Sequence, residues 1–250
     1  KAILMVHLYG AVCDIQRINK IAKKNKIFLI EDCAESLGSK YKNKLTGTFG
    51  DVSVFSFHGS KTITTGGEGG AITTNNKTLY KKMFKISNHG KNSKKVFFQD
   101  EVGFKYKMST IQCAMGISQI KKVNKLNIKK NHIYNYYKKR LNRLPISFQV
   151  SNKYSKPCYW MPTFYLNHPK FNRNDLINYM SKKKITLRPC FYPLHKFKFY
   201  KSKFKSSEYK YSNLISKNGV NLPSYYELDY QSLDYVINEI FNYFRIKKIN

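Results

Sequence analysis

Apolar positions follow two different periods along this chain. Two short runs are almost continuously apolar, "KAILMVHLYG" at the start and "IFLIED" from Ile27 to Asp32, and "GDVSVFSF" from Gly50 to Phe57 reads as a further strand. Runs of this length, closing on glycine or on acids, predict buried strands. "GAITT" from Gly70 predicts another. Between the first two runs, "CDIQRINKIAKKNK" sets Ile15, Ile18, Ile21 and Ala22 at helical spacing. Strand, helix and strand in so few residues predict a βαβ unit and a parallel sheet.

A helix is predicted from Ser109, because Ser109 and Gln112 fit the S-x-x-Q capping box. Ile111, Ala114, Met115, Ile117, Ile120 and Val123 give it a broad apolar face, which predicts a well-buried helix. The charged "NKLNIKKNHIYNYYKKRLNRL" predicts a long, surface-facing helix leading out of a first domain. The pattern then changes. "YWMPTFYL" and "ITLRPCFY" read as strands, "NDLINYMSKKK" as a helix with Asn174 near its start, and "SLDYVINEIFNYF" as an amphipathic helix. The expected organisation is a portion of a large α/β domain over 1–125 and a smaller α+β domain over 126–250, with no internal repeat.

Composition changes this picture little. The 250 residues carry 46 basic and 14 acidic side chains, a formal net charge of +32. A charge of that size invites a nucleic-acid or membrane partner. The lysines, however, are spread over the whole length on polar helix faces, as a general composition bias would place them. No motif that reads DNA or RNA accompanies them, so neither nucleic acid nor a membrane is the expected partner. The five cysteines form no C-x-x-C pair and their number is odd. That argues against a disulfide framework and against a zinc site, and for a reducing compartment. With no signal-peptide pattern and no apolar run of spanning length, the expected location is the cytoplasm.

The candidate chemistry lies where the strands end, because ligands of open α/β sheets collect at the carboxyl ends of the strands. Asp32 follows "IFLI", Ser56 ends "DVSVFS", and Lys61 enters the loop "TTGGEGG". An aldehyde cofactor needs an amine to bond with, an acid to keep its pyridine nitrogen protonated, hydroxyls or N–H groups for its phosphate, and glycines for close approach. Taken singly, a loop lysine is a solvated charge, an Asp after a strand is a cap, and a glycine run is a turn. In this order and spacing they point to one site.

The block "EDCAESLGSKYKNKLTGTFGDVSVFSFHGSKTITTGGEGGAITT", together with "VHLYG", "NHG", "VGFKYKMSTIQCAMGISQI", "RPCFYPLH" and "VNLPSY", resembles the DegT/DnrJ/EryC1/StrS family of pyridoxal-phosphate sugar aminotransferases, in its perosamine-synthase-like branch. The resemblance covers nearly the whole chain. It implies the type I aminotransferase fold, a mostly parallel large-domain sheet with a smaller α+β C-terminal domain, and a homodimer. It further implies transfer of an amino group from an amino acid, usually L-glutamate, to a nucleotide-linked 4-keto-6-deoxy sugar. By the same resemblance Lys61 is the Schiff-base lysine and proton shuttle, and Asp32 pairs with the pyridinium nitrogen. Glu35 takes the place often held by glutamine near the ring hydroxyl, and Ser56 binds the cofactor phosphate.

His195 and Arg188 fall in the "RPCFYPLH" segment, where a sugar-side and a structural role are both open. His7 and His89 match motif positions and read first as structural. The family pattern G-[YF]-N-Y-R-M is here Gly103-Phe104-Lys105-Tyr106-Lys107-Met108, so two lysines replace the asparagine that crosses the dimer and an arginine. Their geometry differs from that of the residues they replace. "TTGGEGG" carries one glycine more than the usual loop. The family also has a long segment ahead of "VHLYG", so the N-terminal part of the large domain is expected to be absent and the chain to be a fragment. Three other readings are weighed. Amination at the 3-keto position keeps the chemistry. A dehydratase would want histidine in place of Lys61. A basic binding protein or inactive remnant would rest on the charge.

Overall fold

The computed structural model describes residues 1–200 and 206–249. The chain divides into two compact units, one of residues 1–127 with 151–160, the other of 128–150 with 161–250. The single cut expected near residue 125 lies beside the first division, but it does not describe the return of 151–160 to the first unit.

The first unit begins with β1 (Ala2–Val6), a 3-10 turn at Leu8–Gly10, α1 (Ile15–Lys24) and β2 (Phe28–Asp32). Asp14 caps α1 by accepting from Arg17 N–H. A small hairpin, β3 (Lys40–Tyr41) and β4 (Lys44–Leu45), precedes β5 (Val52–Ser56) and β6 (Gly70–Thr73). The main sheet has the order β1-β2-β5-β6, with β1, β2 and β5 parallel and β6 antiparallel at the edge. Register fixes what each face carries. Met5, Glu31 and Ser53 are cross-strand partners on one face; Val6, Asp32 and Val54 are partners on the other. The first face packs with Ile15, Ala22 and Tyr41 into a closed core. On the second face Leu4, Phe28 and Ile72 are more than half exposed.

Next come α2 (Lys77–Ser87) and α3 (Thr110–Ile120). Both halves of the capping box form at the start of α3, with Ser109 Oγ accepting from Gln112 N–H and Gln112 Oε1 from Ser109 N–H. The expected burial of this helix is corrected here. None of its residues is buried, and Ile111 and Ile117 are 76% and 61% exposed. The period specifies an apolar face but not what covers it.

The long helix α4 (Val123–Arg140) carries the chain from the first unit into the second. Its expected surface-facing character also needs correcting, since Ile133, Tyr134 and Tyr137 are fully buried. After β7 (Ile146–Phe148), the chain re-enters the first unit through β8 (Ser155–Lys156), which pairs antiparallel with β3. It continues in the second unit with β9 (Thr163–Leu166), α5 (Arg173–Lys182), β10 (Arg188–Pro189), α6 (Lys210–Asn218), β11 (Gly219–Asn221) and α7 (Tyr230–Ile249). Asn172, rather than Asn174, caps α5. The second sheet is antiparallel, in the order β10-β11-β9-β7, over a core that includes Phe164, Leu176, Met180, Val220 and Ile237. Among the described residues no helix is long and apolar enough to cross a membrane.

Candidate active site

Sheet register builds the site. Asp32 ends β2 and Ser56 ends β5, and since Asp32 pairs with Val54, both side chains lie on the open face. Asp32 Oδ1 accepts from Ala34 N–H at 3.0 Å, and Ser56 Oγ from His58 N–H at 3.3 Å. Each therefore caps the turn that follows its strand.

The loop from Phe57 to Gly69 then carries Lys61. Backbone bonds from Phe57 N–H to Gly69 O and from Gly59 N–H to Gly67 O, each 2.8 Å, hold its two arms together. Phe57 and Ile63 anchor it in a small core with Val123. The positive φ angles at Gly66, Gly67 and Gly69, between 91° and 152°, are ones that only glycine adopts freely. A Cβ on Gly69 would lie 2.0 Å from Thr65 Oγ1, whereas one on Gly67 would meet nothing within 4 Å.

Lys61 Nζ lies 3.3 Å from Glu35 Oε1, with the lysine side chain 16% exposed and the glutamate 8%. Glu35 Oε2 accepts from Tyr9 N–H at 2.8 Å. Burial pushes the Glu35 carboxyl above its ordinary range, and the Tyr9 N–H and the Lys61 ammonium offset only part of that push. Lys61 Nζ also sits 4.2 Å from the centre of the Trp160 ring. Trp160 Nε1–H donates to Ser60 O at 3.0 Å, and Tyr9 stacks parallel to Trp160, 6.4 Å between centres. The sequence reading missed Trp160 and Tyr9. The only signal for Trp160 was that it is the single tryptophan of the chain.

Beneath the site, His7 Nε2 and Glu31 Oε2 are 3.2 Å apart, and both residues are fully buried. Glu31 also accepts from Gly47, Phe49 and Gly50 N–H and from Ser53 Oγ. His7 Nδ1 accepts from Cys13 N–H, so Nε2 carries the proton and donates to Glu31. Burial would raise the Glu31 carboxyl, but the bonds from His7, Gly47, Gly50 and Phe49 outweigh it and hold the carboxyl below its ordinary range. His7, Glu31 and Cys33 have metal-ligand proximity, with ligand atoms within 4.8 Å of one another. Protein donors already occupy the Glu31 oxygens and His7 Nδ1, and His7 Nε2–H is spent on Glu31, so this cluster is a structural hub.

The remaining motif residues are dispersed. Lys105 and Lys107 line a cleft of the first unit with His89 and the Ser109 cap, and Lys107 Nζ lies 4.1 Å over Phe84. In the second unit, Arg188 is exposed on β10. His195 is buried, 2.9 Å from Asn213 Oδ1 and stacked on Tyr209.

Residues 1–241 match the DegT/DnrJ/EryC1/StrS aminotransferase family. The GDP-perosamine synthase of Escherichia coli O157:H7 is 38% identical over 245 residues, covering 97% of this chain and 66% of that protein. The UDP-4-amino-4,6-dideoxy-N-acetyl-beta-L-altrosamine transaminase of Campylobacter jejuni is 30% identical, over 96% of this chain and 65% of its own length. The solved structure of Helicobacter pylori PseC, an aminotransferase involved in the biosynthesis of pseudoaminic acid, superposes with a TM-score of 0.88 at 26% identity, over 97% of this chain and 66% of that one. The chain thus spans just under two-thirds of the length of these relatives. The fold is the mixed α/β, mainly parallel type I aminotransferase fold, and the chain belongs to the DegT/DnrJ/EryC1/StrS aminotransferase family.

Proposed function

We propose that this protein is a pyridoxal-phosphate-dependent aminotransferase that moves an amino group from an amino acid, L-glutamate, to a nucleotide-linked 4-keto-6-deoxy sugar, and that it works as a homodimer in the cytoplasm. The names of its relatives support the substrate class, and GDP- and UDP-linked keto sugars are the first to try. The observation that carries the reading is the grouping in one unit of a poorly solvated amine, Lys61, with the strand-end residues Asp32 and Ser56 and the glycine loop.

These residues fit the cofactor. Asp32 is the carboxylate to keep a ring nitrogen protonated. Ser56 and the loop N–H groups are donors for a phosphate. The open space at Gly67 leaves room for close approach. When bound, pyridoxal phosphate supplies an aldehyde that bonds to amines and a ring that draws electrons from the adjoining carbon. Lys61 Nζ is the amine to anchor it and to carry the proton between donor carbon and product. Glu35, 3.3 Å away, gives that amine an acceptor while it holds the proton.

An absorption spectrum of the full-length protein with added pyridoxal phosphate tests this. We expect a visible band that L-glutamate bleaches and that Lys61→Ala never forms. An identical response in both proteins would refute the Lys61 assignment and favour a binding protein. The position of the new amine in the product, read by NMR, separates 4-keto from 3-keto amination.

A further inference from the structure

We propose that Trp160 and Glu35 form a dock that holds the Lys61 ammonium whenever that amine is not bonded to cofactor, with Trp160 as a positioning residue. The inference rests on the reading of Lys61 given above. An ammonium whose side chain is only 16% exposed has little water around it and needs partners. It has two here. Glu35 Oε1 is 3.3 Å away, and the Trp160 ring centre is 4.2 Å away, within the range at which an aromatic face attracts a cation.

The dock is built rather than incidental. Trp160 Nε1–H holds Ser60 O, which fixes the ring against the residue preceding Lys61. Tyr9 lies parallel to the ring at an interplanar angle of 11°, and its N–H holds the other oxygen of Glu35. Ring and carboxylate are thus tied to each other through Tyr9. The arm that delivers Trp160 is clamped as well. Cys158 N–H donates to Ser39 Oγ at 2.9 Å, and Cys158 Sγ lies 3.3 Å from Glu35 O. A contact that stabilises only the free ammonium opposes capture of the amine. The electron density of the ring at position 160 therefore sets the balance between a docked and a cofactor-bonded Lys61.

The test replaces Trp160 by mono-, di- and trifluorotryptophan, which weaken the negative face of the ring with almost no change of shape. Each is placed in the full-length protein with Lys61 and with Lys61→Met. Without cofactor, the melting temperature should fall stepwise, by about 2–4 °C over the series, in the Lys61 protein and stay flat in Lys61→Met. Trp160→Leu and Lys61→Met should be less than additive. With cofactor, the dissociation constant of pyridoxal phosphate, followed by its absorption band, should tighten a few-fold along the same series. Equal slopes in the two backgrounds, or additivity of Leu and Met, would overturn the dock alone. A band retained by Lys61→Met would overturn the assignment of Lys61 and the dock's role with it.

Discussion

Glu31→Gln isolates the hub beneath the site, because it changes one atom and one charge with no change of volume. Glu31 Oε1 accepts from Phe49 N–H, Gly50 N–H and Ser53 Oγ; Oε2 accepts from Gly47 N–H and His7 Nε2–H. A glutamine can offer its carbonyl to only one of these sets. The better choice is the first, with its two short bonds of 2.6 and 2.7 Å. Its NH₂ then points at Gly47 N–H and at His7 Nε2–H. His7 cannot exchange tautomers to accept, because Nδ1 is already the acceptor of Cys13 N–H.

Two donors are left facing donors, His7 Nε2–H fully buried and Gly47 N–H partly so, at up to about 1–3 kcal/mol each. We expect a loss of about 3–5 kcal/mol at neutral pH, a large part of a typical domain's stability. The pH dependence supplies a second check. The folded carboxyl is held below its ordinary value of 4.5, so its contribution is complete above that value and fades as pH falls through the folded value. The gap between wild type and Glu31→Gln should therefore narrow in acid. Urea unfolding of both proteins over a pH series measures it. A gap under about 1 kcal/mol at neutral pH, or one that widens in acid, would refute the account of the hub.

Further outcomes follow from single residues. Glu35 is shifted the other way: its folded carboxyl is raised above 4.5, so its ionisation costs stability as pH rises from that value through the folded one. Glu35→Gln, which keeps an acceptor for Tyr9 N–H, should gain on wild type across that window in the same unfolding series. Gly10 has φ +85°, and a Cβ there would lie 2.8 Å from Cys158 Sγ and 2.9 Å from the backbone of Trp160. Gly10→Ala should lose roughly 2–4 kcal/mol by thermal melting and detach the Trp160 arm, seen as a red shift of tryptophan emission. Burial pushes the Cys33 thiol up to about 12, so iodoacetamide should leave it unmodified in the folded protein and label it on unfolding, as peptide mapping would show.

The first-unit sheet and the residues at its strand ends were legible because they are local. Asp32, Ser56 and Lys61 fall within one short stretch to which strand endings direct attention, whereas Glu35 was reached only through the family resemblance. Trp160 was not legible in that way. It is 100 residues from the carbonyl it bonds, and it arrives only because β8 pairs with β3 after the chain has already left the first unit. The exposed face of α3 shows the other limit, since helical period reports that a face is apolar and is silent on its cover.

Glu31 and Glu35 show why a motif of acids cannot be assigned by composition. They are four residues apart and equally acidic in the sequence, yet their environments drive them in opposite directions. Glu31 lies on the closed face of β2, where the loop 47–50 and His7 converge on it with enough donors to keep it ionised despite complete burial. Asp32, one residue on, is turned by the alternation of the strand to the open face and caps the next turn. Glu35 lies beyond the strand, with one backbone donor and one ammonium, too few to offset its desolvation. Strand parity separates the structural acid from the outward one. The count of donors separates the fixed charge from the carboxyl beside Lys61, whose ionisation burial opposes.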